Sequence, residues 1–183
     1  MSFKNPRIGV VSIGRVPGIV SNSIAAHIIG YLELEADVLS SLPHPTYALD
    51  RKRHQYNAAT IIKNLESKSF HNYSKILGVV DVDLFIPIFT HTFGEAQQGG
   101  RLALASLHRL KVNADESTST TSFMLERIAK VALHEIGHLF NLFHCSDERC
   151  LMHFSGDLKE LDNTPIYFCR YCSSRFKNIF HQP

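Results

Sequence analysis

Apolar runs alternate with polar breaks through the first two-thirds of the chain. Arg7–Ile13 is β-rich and closed by Gly14, the pattern of a buried strand. Pro17-Gly18 marks a turn. From Ile19 to Leu34 the apolar positions Ile24, Ile28 and Leu32 recur at helical spacing. Asp37–Leu42 predicts a second strand, stopped by Pro43 and Pro45. Tyr56–Ser67 predicts an amphipathic helix with Ile61, Ile62 and Leu65 on one side. Ile76–Val80 reads as the next strand, and Val82–Ile88 continues its apolar character around Asp81 and Asp83. Thr90–Gly94 and Arg101–Leu107 predict two more strands flanking Gly99-Gly100. Lys111–Ser122 is polar and loop-like, and ends at a helix N-terminus capped by a residue between Ser117 and Ser122.

Phe123–Phe140 predicts a long helix. Ile128, Ala132, Ile136 and Phe140 form one apolar stripe, and Leu125, Ala129 and Leu133 a second. A helix apolar on most sides is central rather than superficial. After Asn141 the periodicity dissolves into short segments that carry cysteine. Alternating strands and helices followed by a central helix predict an α/β or α+β fold around a mixed sheet.

With 183 residues, the chain can form one domain with a real core. Apolar residues make up 44% and charged residues 20%, close to the globular average, which favours neither a disordered nor a fibrous class. Lys and Arg number 19 against 17 Asp and Glu, a net +2. That balance speaks against nucleic-acid and membrane partners. No segment reads as a transmembrane helix, and the first residues run straight into a strand without a signal-peptide pattern. A cytoplasmic location with reduced thiols is expected. The four cysteines all fall between positions 145 and 172. A secreted disulfide scaffold would spread them along the chain, so clustering reads as metal binding.

The strongest chemical signal is His134-Glu135-Ile136-Gly137-His138, inside the central helix. Two imidazoles one turn apart on one helix face can reach a single Zn²⁺. Glu135 is then close to the metal without binding it, where a carboxylate can take a proton from water. A straight helix would carry His144 to the opposite side of the metal. The chain must leave the helix and double back, and Asn141 is a residue type that adopts the left-handed backbone such a turn needs. His144 is the candidate third ligand.

Cys145 and Cys150, and Cys169 and Cys172, form two close pairs that predict a second, structural Zn²⁺ bound by four thiolates. Two disulfides, free thiols or an iron–sulfur cluster are the alternatives. His144 and Cys145 are neighbours assigned to different metals, so one peptide would link the two sites.

The run His-Glu-x-x-His-x-x-Asn-x-x-His-Cys, followed by Cys150-x-Met152 and Cys169-x-x-Cys172, resembles the archaemetzincin family of metzincin zinc metallopeptidases. Asn141 stands where Gly is usual. The resemblance implies an N-terminal lobe (1–141) with a twisted mixed sheet and long helices, a small irregular C-terminal lobe (142–183), and a zinc cleft between them. It also implies that Met152 forms a turn beneath the three histidines. Some metzincins carry a Tyr two residues after that Met, able to approach the zinc. Here the position is Phe154, leaving Tyr167 and Tyr171 as candidates by sequence proximity alone.

The leading function is zinc-dependent peptide hydrolysis with Glu135 as general base, by a monomer acting on extended peptides. An edge strand near Thr90–Ala96 could pair with the substrate main chain. The alternative is a zinc-binding peptide-recognition or regulatory protein with little proteolytic activity. A third reading makes the tail a nucleic-acid module, with Arg170, Arg175 and Lys177 supplying charge and Tyr171 and Phe176 interleaved.

Overall fold

Strand β1 (Arg7–Ile13) lies inside the sheet, and Ile8 through Ile13 are all buried. In a computed structural model that describes residues 6–112 and 118–180, it pairs in parallel with β2 (Glu35–Leu42) on one side. On the other it pairs in parallel with β5 (Lys75–Val80). Three short strands lie between β2 and β5 in sequence or soon after: β3 (Leu49–Asp50), β4 (Gln55–Asn57) and β6 (Leu84–Phe85). They form a separate small sheet in the order β3-β4-β6. The main sheet continues from β5 to β8 (Leu102–Ser106) in parallel, and ends at β7 (Gly94–Ala96), antiparallel to β8. Its order is β2-β1-β5-β8-β7, a mixed sheet as the alternating pattern predicts.

Alternate residues of the central strands feed two cores, as the two-residue strand period requires. Val10, Leu77 and Ala103 pack with Val20 and Ile24 of α1 (Gly18–His27) and with Ile128, Ala132 and Ile136 of α3 (Thr121–Leu139). Val11, Ile76 and Leu104 face the other way, onto Ile61, Ile62 and Leu65 of α2 (Ala58–Glu66). The central strands are buried on both faces and therefore read as continuous apolar runs. At the edge, β2 alternates and is partly exposed.

Several boundaries differ from the sequence expectation. The helix predicted over Ile19–Leu34 is regular only to His27, then widens into a π-type turn over Ile28–Leu32 that ends at left-handed Glu33. Of the apolar stretch Val82–Ile88 only Leu84–Phe85 forms a strand, while Asp83 receives Arg109 and Gln55. The strand predicted over Thr90–Gly94 begins where that prediction ends. The C-terminal segment contains two short helices, α4 (Leu158–Asn163) and α5 (Arg170–Asn178), capped by Asp157 and Cys169. Thr120 caps α3, its hydroxyl accepting from the Phe123 N–H. Of the other cap candidates, Ser117 lies outside the described residues. Among the described residues no helix is long and apolar enough to cross a membrane.

Candidate metal centre and cleft

Helix α3 runs under the edge of the sheet and carries His134, Glu135 and His138. Its C-terminus is a complete Schellman turn. The Asn141 N–H donates to the His138 carbonyl (2.9 Å) and the Leu142 N–H to the Gly137 carbonyl (3.0 Å). Asn141 takes φ 61°, the left-handed conformation the sequence requires there. Lys75 reaches across from β5 and donates to the carbonyls of Leu139 (2.8 Å) and Gly100 (2.6 Å), a cation at the negative end of the helix. The reversed chain brings His144 back. The ring centroids of His134, His138 and His144 lie 4.7, 4.8 and 5.3 Å apart, and their donor nitrogens all fall within 4.8 Å of one another.

The imidazoles are oriented from behind. His134 Nδ1 lies 2.7 Å from the Leu151 carbonyl, and His138 Nδ1 2.8 Å from that of Leu142. A carbonyl can only accept, so each Nδ1 carries the proton and each Nε2 presents a lone pair. Those two Nε2 atoms stand 3.1 Å apart, lone pair facing lone pair. That arrangement is repulsive without a cation between them. Two ligands at the usual zinc–nitrogen distance and a tetrahedral angle would be roughly 3.3 Å apart, so the histidines fit Zn²⁺. Burial and the neighbouring His138 push His134 down to about 3, and burial also lowers His138 and His144. The rings are neutral at ordinary pH, the form that binds a metal.

Glu135 is buried, and its carboxyl is held well above the ordinary carboxylate range by burial and by the charge of Glu95. Burial raises Glu95 as well. The carboxyl of Glu135 lies directly against the backbone of Gly94 on β7, the free edge of the sheet. Gly137 packs on Met152, which is fully buried. A Cβ at 137 would stand 2.5 Å from the Met152 sulfur. Met152 therefore lies against α3 between the turns that carry His134 and His138.

Cys145, Cys150, Cys169 and Cys172 form a second cluster, all as free thiols, with sulfurs within 4.8 Å of one another. All four sulfurs converge on one point, the arrangement of a shared metal rather than of two separate pairs. The Cys169 N–H donates to Cys150 Sγ (3.2 Å), and the Cys172 N–H to Cys169 Sγ (3.5 Å). Burial pushes Cys150 up to about 11 and raises Cys172. At Cys169 burial acts in the same direction, but the Cys172 N–H and neighbouring thiols outweigh it and lower the group. Four convergent sulfurs, two of them buried, suit a tetrahedral thiolate metal site with no open position.

Between β7 and α3 on one side and Leu151–Thr164 on the other lies a cavity of about 280 Å³. The three histidines, Glu135, Glu95 and Phe154 line it. Tyr167 and Tyr171 do not. Both are exposed, and among the described residues no tyrosine lines the cleft. The basic tail does not form an interleaved aromatic patch, because Phe176 is buried against Phe140 and Phe180 and Arg175 bonds to the Tyr171 hydroxyl.

The sequence reading missed several supports of this site. Gln98 donates to Asn141 Oδ1 (3.2 Å) and to the Leu142 carbonyl (3.0 Å), beside the His138 bond. Arg127, almost wholly buried, grips Asp162 with two bonds of 2.7 Å, and Lys130 donates to the carbonyls of Leu161 and Asp162. Together they tie α4 on one side of the cleft to α3 on the other. Two cations one turn apart in an otherwise apolar helix were the available signal.

Residues 30–178 match the model of peptidase family M54. The archaemetzincin of Natronomonas pharaonis is 30% identical over 168 residues, covering 90% of this chain and 96% of its own. The crystal structure of archaemetzincin from Methanopyrus kandleri superposes with a TM-score of 0.85 at 30% identity over 97% of both chains. That of a zinc-dependent peptidase from Methanocorpusculum labreanum does so with a TM-score of 0.82 at 28% identity, over 92% of this chain and 99% of its own. With its three-histidine cluster, its four-cysteine cluster and this fold, the chain belongs to peptidase family M54, the archaemetzincins.

Proposed function

We propose that this M54 metallopeptidase hydrolyses peptide bonds with zinc held by His134, His138 and His144 and with Glu135 as general base. Met152 forms the turn beneath the ligands. Cys145, Cys150, Cys169 and Cys172 hold a second, structural zinc. Residues 1–141 and 142–183 act as the two lobes of a single metallopeptidase domain of the metzincin kind. The observation that carries the reading is the facing pair of Nε2 lone pairs, 3.1 Å apart, beside a buried carboxyl in an open cleft.

Zinc, when bound, supplies a Lewis acid that acidifies water and polarises a carbonyl. The residues of the chain do the rest. Glu135 takes the proton from the attacking water and returns it to the leaving amine. Its desolvated carboxyl is a stronger base than one in water, which suits that exchange. Extended peptide can add to the free edge of β7, taking main-chain hydrogen bonds there. Phe154 offers no hydroxyl to a developing oxyanion; zinc, if held by the three histidines, would supply positive charge there. The protein works as a cytoplasmic monomer on peptide substrates, without nucleic-acid or membrane partners. The near-neutral charge supports the absence of nucleic-acid and membrane partners.

The test is Glu135→Gln, assayed against a broad peptide mixture. The variant should keep both zincs and lose cleavage by at least a hundredfold. A variant as active as the wild type would refute the general-base role. A zinc-loaded wild type inert on every peptide would favour the peptide-recognition alternative.

A further inference from the structure

We propose that Phe89 and Phe154 form an aromatic subsite that selects a bulky apolar side chain, aromatic above all, beside the bond to be cut. The proposal rests on the reading of the cleft as a peptide-hydrolysing site. The two rings come from segments far apart in sequence, and both line the cleft. They stack with centroids 5.9 Å apart and an interplanar angle of 29°. Neither belongs to the core: Phe89 is 44% and Phe154 46% exposed, and Ile88 beside them is 81% exposed. Apolar surface gathered at the mouth of a cleft gains free energy only when a ligand covers it.

The place of the subsite follows from Phe154, whose ring meets that of His144 edge-on at 5.3 Å. A side chain touching Phe154 therefore belongs to a residue flanking the scissile bond. The chemistry follows from the walls. Ile86, Val131 and Leu161 line the same cavity as the two rings. The one lysine there, Lys130, gives its hydrogens to Glu126 and to the carbonyls of Leu161 and Asp162. Among the described residues no cation lining the cavity is left to receive an acidic side chain, and Glu95 and Glu135, which also line it, disfavour one.

Polar contacts hold the backbone that carries the Phe89 ring. Arg53 Nη2 donates to the carbonyls of Phe89 and Thr90 (3.2 Å each), Gln55 Nε2 donates to Thr90 (2.9 Å), and the Arg53 guanidinium lies 4.2 Å over Phe85. Arg53 belongs to the basic run over Arg51–His54. Its bonds to the Phe89 and Thr90 carbonyls make Arg53 a positioning residue for the subsite.

Binding separates this proposal from the hydrolysis reading. Zinc-loaded Glu135→Gln protein is titrated with fluorescent peptides identical except for Phe, Leu, Ala, Glu or Lys at each position flanking the target bond. Phe should bind about tenfold more tightly than Ala at one of those positions, with Leu between. Adding Phe89→Ala or Phe154→Ala should remove most of that difference, and Phe89→Leu about half of it. Both side chains are exposed, so the variants should fold. Arg53→Ala should also narrow the Phe-to-Ala ratio, and Arg53→Lys should restore part of it. Equal affinity for Phe and Ala, a preference for Glu or Lys, or absence of binding would overturn the proposal. An unchanged ratio in the Phe89 and Phe154 variants would do the same. Cleavage by the wild type is scored separately: its failure would count against hydrolysis while the binding ratios still decide the subsite.

Discussion

The backbone of Gly94 lies so close to Glu135 that a Cβ at position 94 would stand 2.6 Å from Oε1 and 2.7 Å from Cγ. The edge strand that can receive a peptide thus also fixes the carboxyl that serves it. Gly94→Ala cannot be absorbed by turning the carboxylate tip alone, because Cγ clashes as well. The side chain must move along α3, away from its place beside His134. We expect Gly94→Ala to retain both metals and lower kcat/KM at least tenfold, at a stability cost of about 1–3 kcal/mol. Metal analysis beside peptide-cleavage kinetics checks this. Unchanged kinetics would mean that Glu135 does not depend on β7 for its position.

Gly137 plays the corresponding part below the helix. A methyl group there would meet the Met152 sulfur at 2.5 Å and its terminal carbon at 3.2 Å. Gly137→Ala raises helix propensity, which alone would stabilise by about 1 kcal/mol. Overpacking in a buried contact costs about 1–3 kcal/mol, and the backbone next to Met152 supplies the Leu151 carbonyl that orients His134. We expect a net loss of stability in denaturant unfolding and weaker zinc retention at the histidines. Met152→Leu, which conserves volume, should cost less than about 1.5 kcal/mol.

Legibility followed periodicity and spacing. The buried strands β1, β5 and β8 and the helix bearing His134 were readable because their apolar runs are long. The left-handed turn at Asn141 was readable because the chain must double back if His144 is to join His134 and His138. The small sheet β3-β4-β6 was not, since strands of two or three residues carry no period. Arg53 and Gln98 were missed for another reason. Their partners are backbone carbonyls and an amide on distant segments, and nothing local in sequence marks such contacts. The helices α4 and α5 were overlooked because they are short and mostly polar, held by caps, metal-site cysteines and a buried arginine rather than by an apolar stripe.

Asp83 gives the fold an acid-sensitive contact away from the metal. Burial by itself would raise its carboxyl. Hydrogen bonds from Arg109 (2.6 and 2.8 Å) and Gln55 (3.0 Å), with the Arg109 charge, outweigh burial and hold it below the usual range. A depressed folded-state value favours the fold wherever the unfolded carboxylate is ionised, above about pH 4. That contribution fades as pH falls toward and through the lower folded value. Asp83→Asn should therefore lower stability by about 1–2 kcal/mol at pH 7 and by less near pH 3. Thermal unfolding of both proteins across that range checks the sign. A difference that grows on acidification would contradict it.

The two metal clusters are joined by more than one peptide, so damage at the cysteines should reach the histidines. Cys145 follows His144 directly, and its N–H donates to the Met152 carbonyl (2.8 Å). His153 Nδ1 donates back to the Cys145 carbonyl (3.0 Å). Cys150 precedes Leu151, whose carbonyl receives His134 Nδ1 at 2.7 Å. Both the third histidine and the orientation of the first thus hang on a segment whose ends are cysteines. Groups that orient metal ligands from behind are typically worth 10–100-fold in affinity. We expect Cys172→Ser, which touches no histidine, to weaken zinc binding at the three histidines by a factor in that range, measured by competition with a chromogenic chelator. The same variant should lower the melting temperature more than His138→Ala does, because Cys150 and Cys172 are buried among Phe168, Phe176 and Met152. His138→Ala should leave the cysteine site loaded. A Cys172→Ser protein with full histidine-site affinity would show that the segment between the clusters holds its shape without the second metal.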